Sequence, residues 1–167
     1  TKNGELLHRI EKHTDWVTAV AFSPDGKFVA SGDRSGGLHV WESDTCAIVF
    51  TLDEHKVRIT RLVWRADGQM LASAGDDGKL VLWDMKDGWA SKVIDAHVSK
   101  VKTRYSRKTG VLGLDWHRNG RLVTVGRDRS LKFWTVSGDR AGGITDLDSL
   151  PLSTAFSADG TQAGVGF

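Results

Sequence analysis

The chain has 167 residues, 40% of them hydrophobic and 26% charged, the balance of a globular domain in water. A formal charge of +2 excludes a general electrostatic pull toward nucleic acid or membrane, and no apolar run reaches the roughly 18 residues of a membrane span. The single cysteine, Cys46, excludes an intramolecular disulfide and leaves the redox compartment open.

The first ten residues carry neither the apolar core of a signal peptide nor an initiator Met, as expected of a piece of something longer. Within them Glu5–Ile10 reads as a spare strand. Beyond it His13, His55 and His97 follow at intervals of 42 residues, and Trp41 and Trp83 keep the same interval. Trp134 comes 51 residues later. A fixed period of about 40–45 residues marks an array of four-stranded blades.

Each unit begins with a β-prone run that ends in a large aromatic, Phe22, Trp64 or Trp116. An Asp-Gly or Asn-Gly pair follows: Asp25-Gly26, Asp67-Gly68 and Asn119-Gly120. Such pairs predict tight type I′ hairpins, because both residue types tolerate positive φ. The next runs are Phe28-Val29-Ala30, Met70-Leu71-Ala72 and Leu122-Val123-Thr124, then Leu38–Trp41, Leu80–Trp83 and Leu131–Trp134. Ile48-Val49-Phe50 and Lys92-Val93-Ile94 close the first two units; Cys46 is expected in the first of these closing strands as a small buried hydrophobe. Nothing shows a sustained 3.6-residue period. The fourth copy, around Asp159-Gly160, is irregular, with Leu147 at the His place and Val165 at the Ser or Thr place.

These residues resemble the WD-repeat β-propeller family. Ser31, Ser73 and Thr124 stand ten residues before the Trp, Asp77 and Asp128 stand six before it, and Trp83-Asp84 closes one unit. The first unit has Ser35 where the family has Asp. The resemblance implies an all-β propeller with three complete four-stranded antiparallel blades, about 13–53, 55–95 and 97–140. An incomplete fourth would span 144–167, with the strand at 5–10 joining it. It further implies a structural hydrogen-bond chain in each blade: His13, Ser31 and Trp41, loose at Ser35; His55, Ser73, Asp77 and Trp83; His97, Thr124, Asp128 and Trp134. In style the sequence also resembles propellers of large bacterial multidomain proteins.

One His per blade is the spacing of a structural element, so no metal site is expected, and no catalytic motif is present. No cofactor is implied. The insertion after His97 is basic, with Lys100, Lys102, Arg104, Tyr105, Arg107 and Lys108. Together with Trp16, Arg34, Arg58, Arg127 and Arg129 it makes a candidate surface for a protein or peptide partner, acidic or phosphorylated. Nucleic acid and membrane are not the expected partners, and the compartment, cytoplasmic or periplasmic, is open. The expected function is a non-catalytic scaffold that displays loops. Two alternatives stand beside it. The propeller belongs to an enzyme or c-type haem module outside this chain, or it is a self-associating fragment that completes a ring of about eight blades as a dimer.

Overall fold

The computed structural model describes residues 6, 8–99 and 109–167. Three four-stranded sheets follow one another. The first holds β1 (Val17–Phe22), β2 (Phe28–Asp33), β3 (Leu38–Glu42) and β4 (Ile48–Leu52). The second holds β5 (Ile59–Trp64), β6 (Met70–Gly75), β7 (Lys79–Asp84) and β8 (Ala90–Asp95). The third holds β9 (Val111–Trp116), β10 (Leu122–Gly126), β11 (Leu131–Trp134) and β12 (Arg140–Ile144). All pair antiparallel in chain order. A two-stranded unit, β13 (Ser153–Phe156) with β14 (Ala163–Gly166), follows them. The third blade therefore runs on to Ile144, past the boundary the period suggests.

The hairpins form where the Asp-Gly and Asn-Gly pairs fall, but the turn is not type I′. Only the glycines have positive φ, +74° at Gly26, +70° at Gly68, +87° at Gly120 and +70° at Gly160. The preceding acid or amide caps the turn instead. Asp25, Asp67, Asn119 and Asp159 each accept the backbone N–H two residues on, at 3.0–3.1 Å. That local bond offers the chain a turn without positive φ at a side-chain-bearing residue. Cys46 is half-buried in the β3–β4 turn with φ +56°, not in β4, its N–H closing the turn on the Glu42 carbonyl at 2.9 Å.

Each sheet is apolar on both faces and must be covered twice. The inner strands β1, β5, β9 and β13 lie side by side in that order. At each junction large residues of one blade pack on apolar residues of the blade before it, and at the first the receiving inner-strand residues are alanines. Leu62 and Trp64 on β5 pack toward Ala19, Ala21 and Ala30, and the Trp64 indole N–H donates to the Ala21 carbonyl at 3.1 Å. Leu114 and Trp116 pack toward Val63 and Ala72. Phe156 and Val165 pack toward Val123 and Val125. Threonine ties two of these junctions: Thr18 Oγ donates to the Ile59 carbonyl at 2.6 Å, and Thr60 Oγ to the Val111 carbonyl at 2.7 Å.

One sequence expectation, the spare strand at 5–10, does not hold among the described residues. Leu6 and His8–Ile10, the described part of the expected spare strand, form no strand and lie exposed. The fourth unit therefore has only its own two strands among the described residues.

Candidate interaction face

The family-type hydrogen-bond chain runs through all three blades. In the second blade Trp83 Nε1–H donates to Ser73 Oγ at 2.9 Å. His55 Nε2 lies 2.9 Å from the same oxygen, and His55 Nδ1 lies 3.0 Å from Asp77 Oδ2. In the third, Trp134 Nε1–H to Thr124 Oγ1 is 2.9 Å, His97 Nε2 to Thr124 Oγ1 is 2.8 Å, and His97 Nδ1 to Asp128 Oδ1 is 2.7 Å. The proton placement follows from the donors. The ionised carboxylate can only accept, so Nδ1 carries the ring proton, and in the neutral ring the hydroxyl hydrogen points at Nε2 while its oxygen accepts from the indole. Nε2 then carries no proton, the imidazole is neutral, and Nδ1–H donates to the carboxylate.

Electrostatics agree with a neutral ring. Burial holds the His97 pKa below its usual 6.5, outweighing the pull of Asp128 in the other direction. Burial pushes the carboxylates of Asp33 and Asp77 up, yet hydrogen bonds from His13 and His55 and from nearby donors leave both below the usual 3.8. Asp128 is driven furthest down, with Lys132 Nζ 2.9 Å away adding to the His97 contact.

The first blade is not loose at Ser35. Its carboxylate comes from Asp33, two residues earlier than in the other blades. His13 Nδ1 meets Asp33 Oδ2 at 2.7 Å, His13 Nε2 meets Ser31 Oγ at 2.7 Å, and Trp41 Nε1–H donates to Ser31 Oγ at 2.7 Å. Ser35 is a supporting donor, its Oγ–H and N–H both reaching Asp33 Oδ1 at 2.9 Å. The reason lies in the matching positions, Gly75 and Gly126. A Cβ at Gly75 would stand 2.8 Å from His55 Nδ1, and one at Gly126 would strike the His97 ring. A side chain at this place aims straight at the imidazole, so Asp33 reaches it. In the fourth unit Leu147 occupies the His place, its N–H bonded to the Arg129 carbonyl at 2.9 Å as His97 N–H is to the Gly78 carbonyl at 2.8 Å. Leu147 and Val165 then share an apolar cluster, so both polar partners are absent together and neither is orphaned.

One end of the blades gathers the candidate partner residues. The same backbone bond recurs there at 2.9 Å: Arg34 N–H to the Trp16 carbonyl, Asp76 to Arg58, and Arg127 to Gly110. Trp16 is 74% exposed, with the Arg34 guanidinium 5.6 Å from its ring centre. Arg58 and Arg127, from two different blades, share the carboxylate of Asp76. Arg58 Nε lies 3.0 Å from Oδ2 and Arg127 Nη2 3.4 Å from Oδ1. Arg58 Nε is shielded from solvent and makes no hydrogen bond of acceptable geometry. Beside it a cavity of about 270 Å³ is lined by Thr18, Arg58, Thr60, Arg61, Leu112 and Leu152. Arg129 is exposed on the same rim and takes φ +55° where the other two blades have glycine, Gly36 and Gly78. The Asp76 junction joins residues 51 positions apart, a pairing no local pattern announces. Lys100, Lys102, Arg104, Tyr105 and Arg107 lie outside the described residues.

Among the described residues, no group of three or more His, Cys, Asp or Glu is placed to hold a metal ion. No helix is long and apolar enough to cross a membrane.

Stacked four-stranded antiparallel sheets, inner strands side by side around an axis, are the architecture of a β-propeller, here an arc of three blades and part of a fourth. The family model for WD domain, G-beta repeat matches residues 4–42, 46–84 and 92–135, and the chain belongs to the WD-repeat family. It is 45% identical over 51 residues to human angio-associated migratory cell protein, covering 30% of this chain and 12% of that protein. It is 44% identical over 39 residues to human U3 small nucleolar RNA-interacting protein 2, covering 23% and 8%. It is 37% identical over 51 residues to small ribosomal subunit protein RACK1y of Oryza sativa subsp. japonica, covering 30% and 15%. The structure of U3-55K superposes with a TM-score of 0.74 at 16% identity, over 86% of this chain and 43% of that one. The chain thus spans less than half the length of the proteins it matches.

Proposed function

We propose that the chain is a non-catalytic interaction scaffold whose loop-bearing end binds an acidic segment of a protein partner, Trp16 and the guanidiniums of Arg34, Arg58 and Arg127 making the contacts. One observation carries this reading: the guanidiniums of Arg58 and Arg127, with side chains 42% and 31% exposed, share the single carboxylate of Asp76. A carboxylate or phosphate arriving there finds donors in a fixed fork. Trp16 beside it supplies a rigid apolar anchor of the kind that dominates interface energies. The blades supply rigidity, and the variable loops supply specificity.

Two of the proteins this chain resembles are named for an association with U3, one as an RNA-interacting protein, so RNA belongs in the same test. Titration with a glutamate-rich peptide, its phosphorylated form and a single-stranded RNA of equal charge, followed by calorimetry, distinguishes the ligands. Arg58→Glu with Arg127→Glu is expected to weaken peptide binding at least about tenfold. Peptide affinity unmoved by the double reversal, or tight binding confined to the RNA, overturns the reading.

A further inference from the structure

The four units place equivalent residues side by side on the axial side of the arc. Thr18, Thr60, Leu112 and Leu152 each stand four residues before the aromatic that ends the inner run, Phe22, Trp64, Trp116 or Phe156. All four line the cavity of about 270 Å³, together with Arg58, Ile59 and Arg61. The cavity therefore touches every unit, and Arg58 belongs both to it and to the rim described above.

One residue further on, the inner runs have Ala19, Arg61, Gly113 and Ser153. Three of these are small, and only blade 2 presents a guanidinium. Arg61 is exposed, although blade 2 lies between two complete blades. Its hydrogen bond runs from Nη1 to the Thr60 carbonyl at 2.9 Å. Nε–H and Nη2–H, the pair of donors that a carboxylate bridges side-on, have no acceptor among the described residues. No acid lines the cavity. Asp76 is already shared by Arg58 and Arg127, and Asp77 accepts from His55. Three guanidiniums at this end of blade 2 thus have one carboxylate between them. Ile59, Leu112 and Leu152 give the cavity an apolar wall, against which a guanidinium attracts an anion more strongly than in open water.

We propose that the axial cavity is a site for one carboxylate or phosphate group, held side-on by Arg61 with Arg58 beside it. A planar guanidinium with two parallel donors free matches either oxyanion. The site rests on the reading of this end as the face for an acidic segment. One acidic side chain of that segment enters the cavity, and the rim holds the rest.

Calorimetric titration of the 167-residue chain with the glutamate-rich peptide, and separately with inorganic phosphate, tests this. Arg61→Ala gives blade 2 the residue that blade 1 has at Ala19, and an unchanged circular dichroism spectrum checks that the strand is kept. It should weaken peptide binding at least about tenfold, the loss of a charge-assisted pair. Arg61→Lys keeps the charge but not the fork, and should restore only part of the affinity. Peptide binding that falls with Arg58→Glu and Arg127→Glu but not with Arg61→Ala overturns the cavity site and leaves the rim reading standing. If the peptide does not bind at all, the rim reading fails, and phosphate decides the cavity alone. Phosphate bound by the parent chain and lost in Arg61→Ala supports a site for the free ion; phosphate unbound by the parent chain overturns it.

Discussion

Blades 1 and 2 are built from the same elements 42 residues apart, and they differ in two respects. Blade 2 is covered on both faces; blade 1, among the described residues, leaves Val20 and Phe22 of its first strand exposed. Blade 2 takes its carboxylate from Asp77 in the β6–β7 turn; blade 1 takes it from Asp33 at the end of β2. The first difference teaches that exposure is a property of the neighbour. Trp64 and Phe22 hold one place in the repeat and one register against the second strand, yet differ tenfold in accessibility. The second teaches that what is retained is the hydrogen-bond chain, while the residue supplying its last member is free to move. An imidazole N–H needs an acceptor, and two backbone positions can deliver one.

The largest effect should come from the covered face. Leu71, fully buried between blades 1 and 2, should cost about 2–5 kcal/mol when replaced by Ala, as cavity-forming core truncations do. Val20→Ala on the bare face should cost below about 0.5 kcal/mol in dilute solution, the range of surface substitutions. Urea midpoints of the two variants check the contrast, and equal losses would remove it.

The displaced acid gives the next effect. Asp33→Gly leaves His13 Nδ1–H, the Ser35 hydroxyl and the Gly37 N–H without their acceptor, and should cost about 1–3 kcal/mol. Adding Ser35→Asp rebuilds the arrangement of blade 2, with glycine and aspartate in the places of Gly75 and Asp77. The double variant should regain most of that loss in a thermal melt. Failure to regain it would mean that blade 1 is committed to its own geometry.

The smallest and most gradual effect is on pH, and it falls on both blade types. His97 has a folded pKa below 6.5, so its contribution is complete above that value and drains away as pH falls through the folded pKa. Asp33, Asp77 and Asp128 are likewise depressed, so theirs is complete above 3.8 and is lost in stronger acid. Unfolding free energy should decline from pH 6.5 downward, with a second decline below 3.8. A profile flat between pH 7 and 4 would rule out the neutral His97 relay.

The recurrence of His and Trp made the blades legible in the sequence, since every blade must solve the same covering problem with the same strands. The relay was legible where carboxylate and Trp kept their spacing. In blade 1 a rule of six residues pointed to Ser35, although a signal was present: 42 residues after Asp33 stands Gly75, and a position that is glycine in other repeats is one from which a side chain reaches something. The Arg58–Asp76–Arg127 junction was legible only as a set of charges near one end, because the pairing depends on how two blades stack. The capped turns escaped notice because Asp-Gly serves more than one turn type, and only the φ of the acid separates them.

Ser99 and Thr109 flank the basic insertion, and the Ser99 N–H donates to Thr109 Oγ1 at 3.0 Å, while Gly110 N–H donates to the His97 carbonyl at 3.2 Å. These two bonds hold the flanking residues together. Doubling the length of a segment closed in this way costs only about 0.6 kcal/mol in chain entropy. The junction is in effect a splice point, where evolution or an engineer can graft a different ten or twenty residues without the sheets on either side registering the exchange.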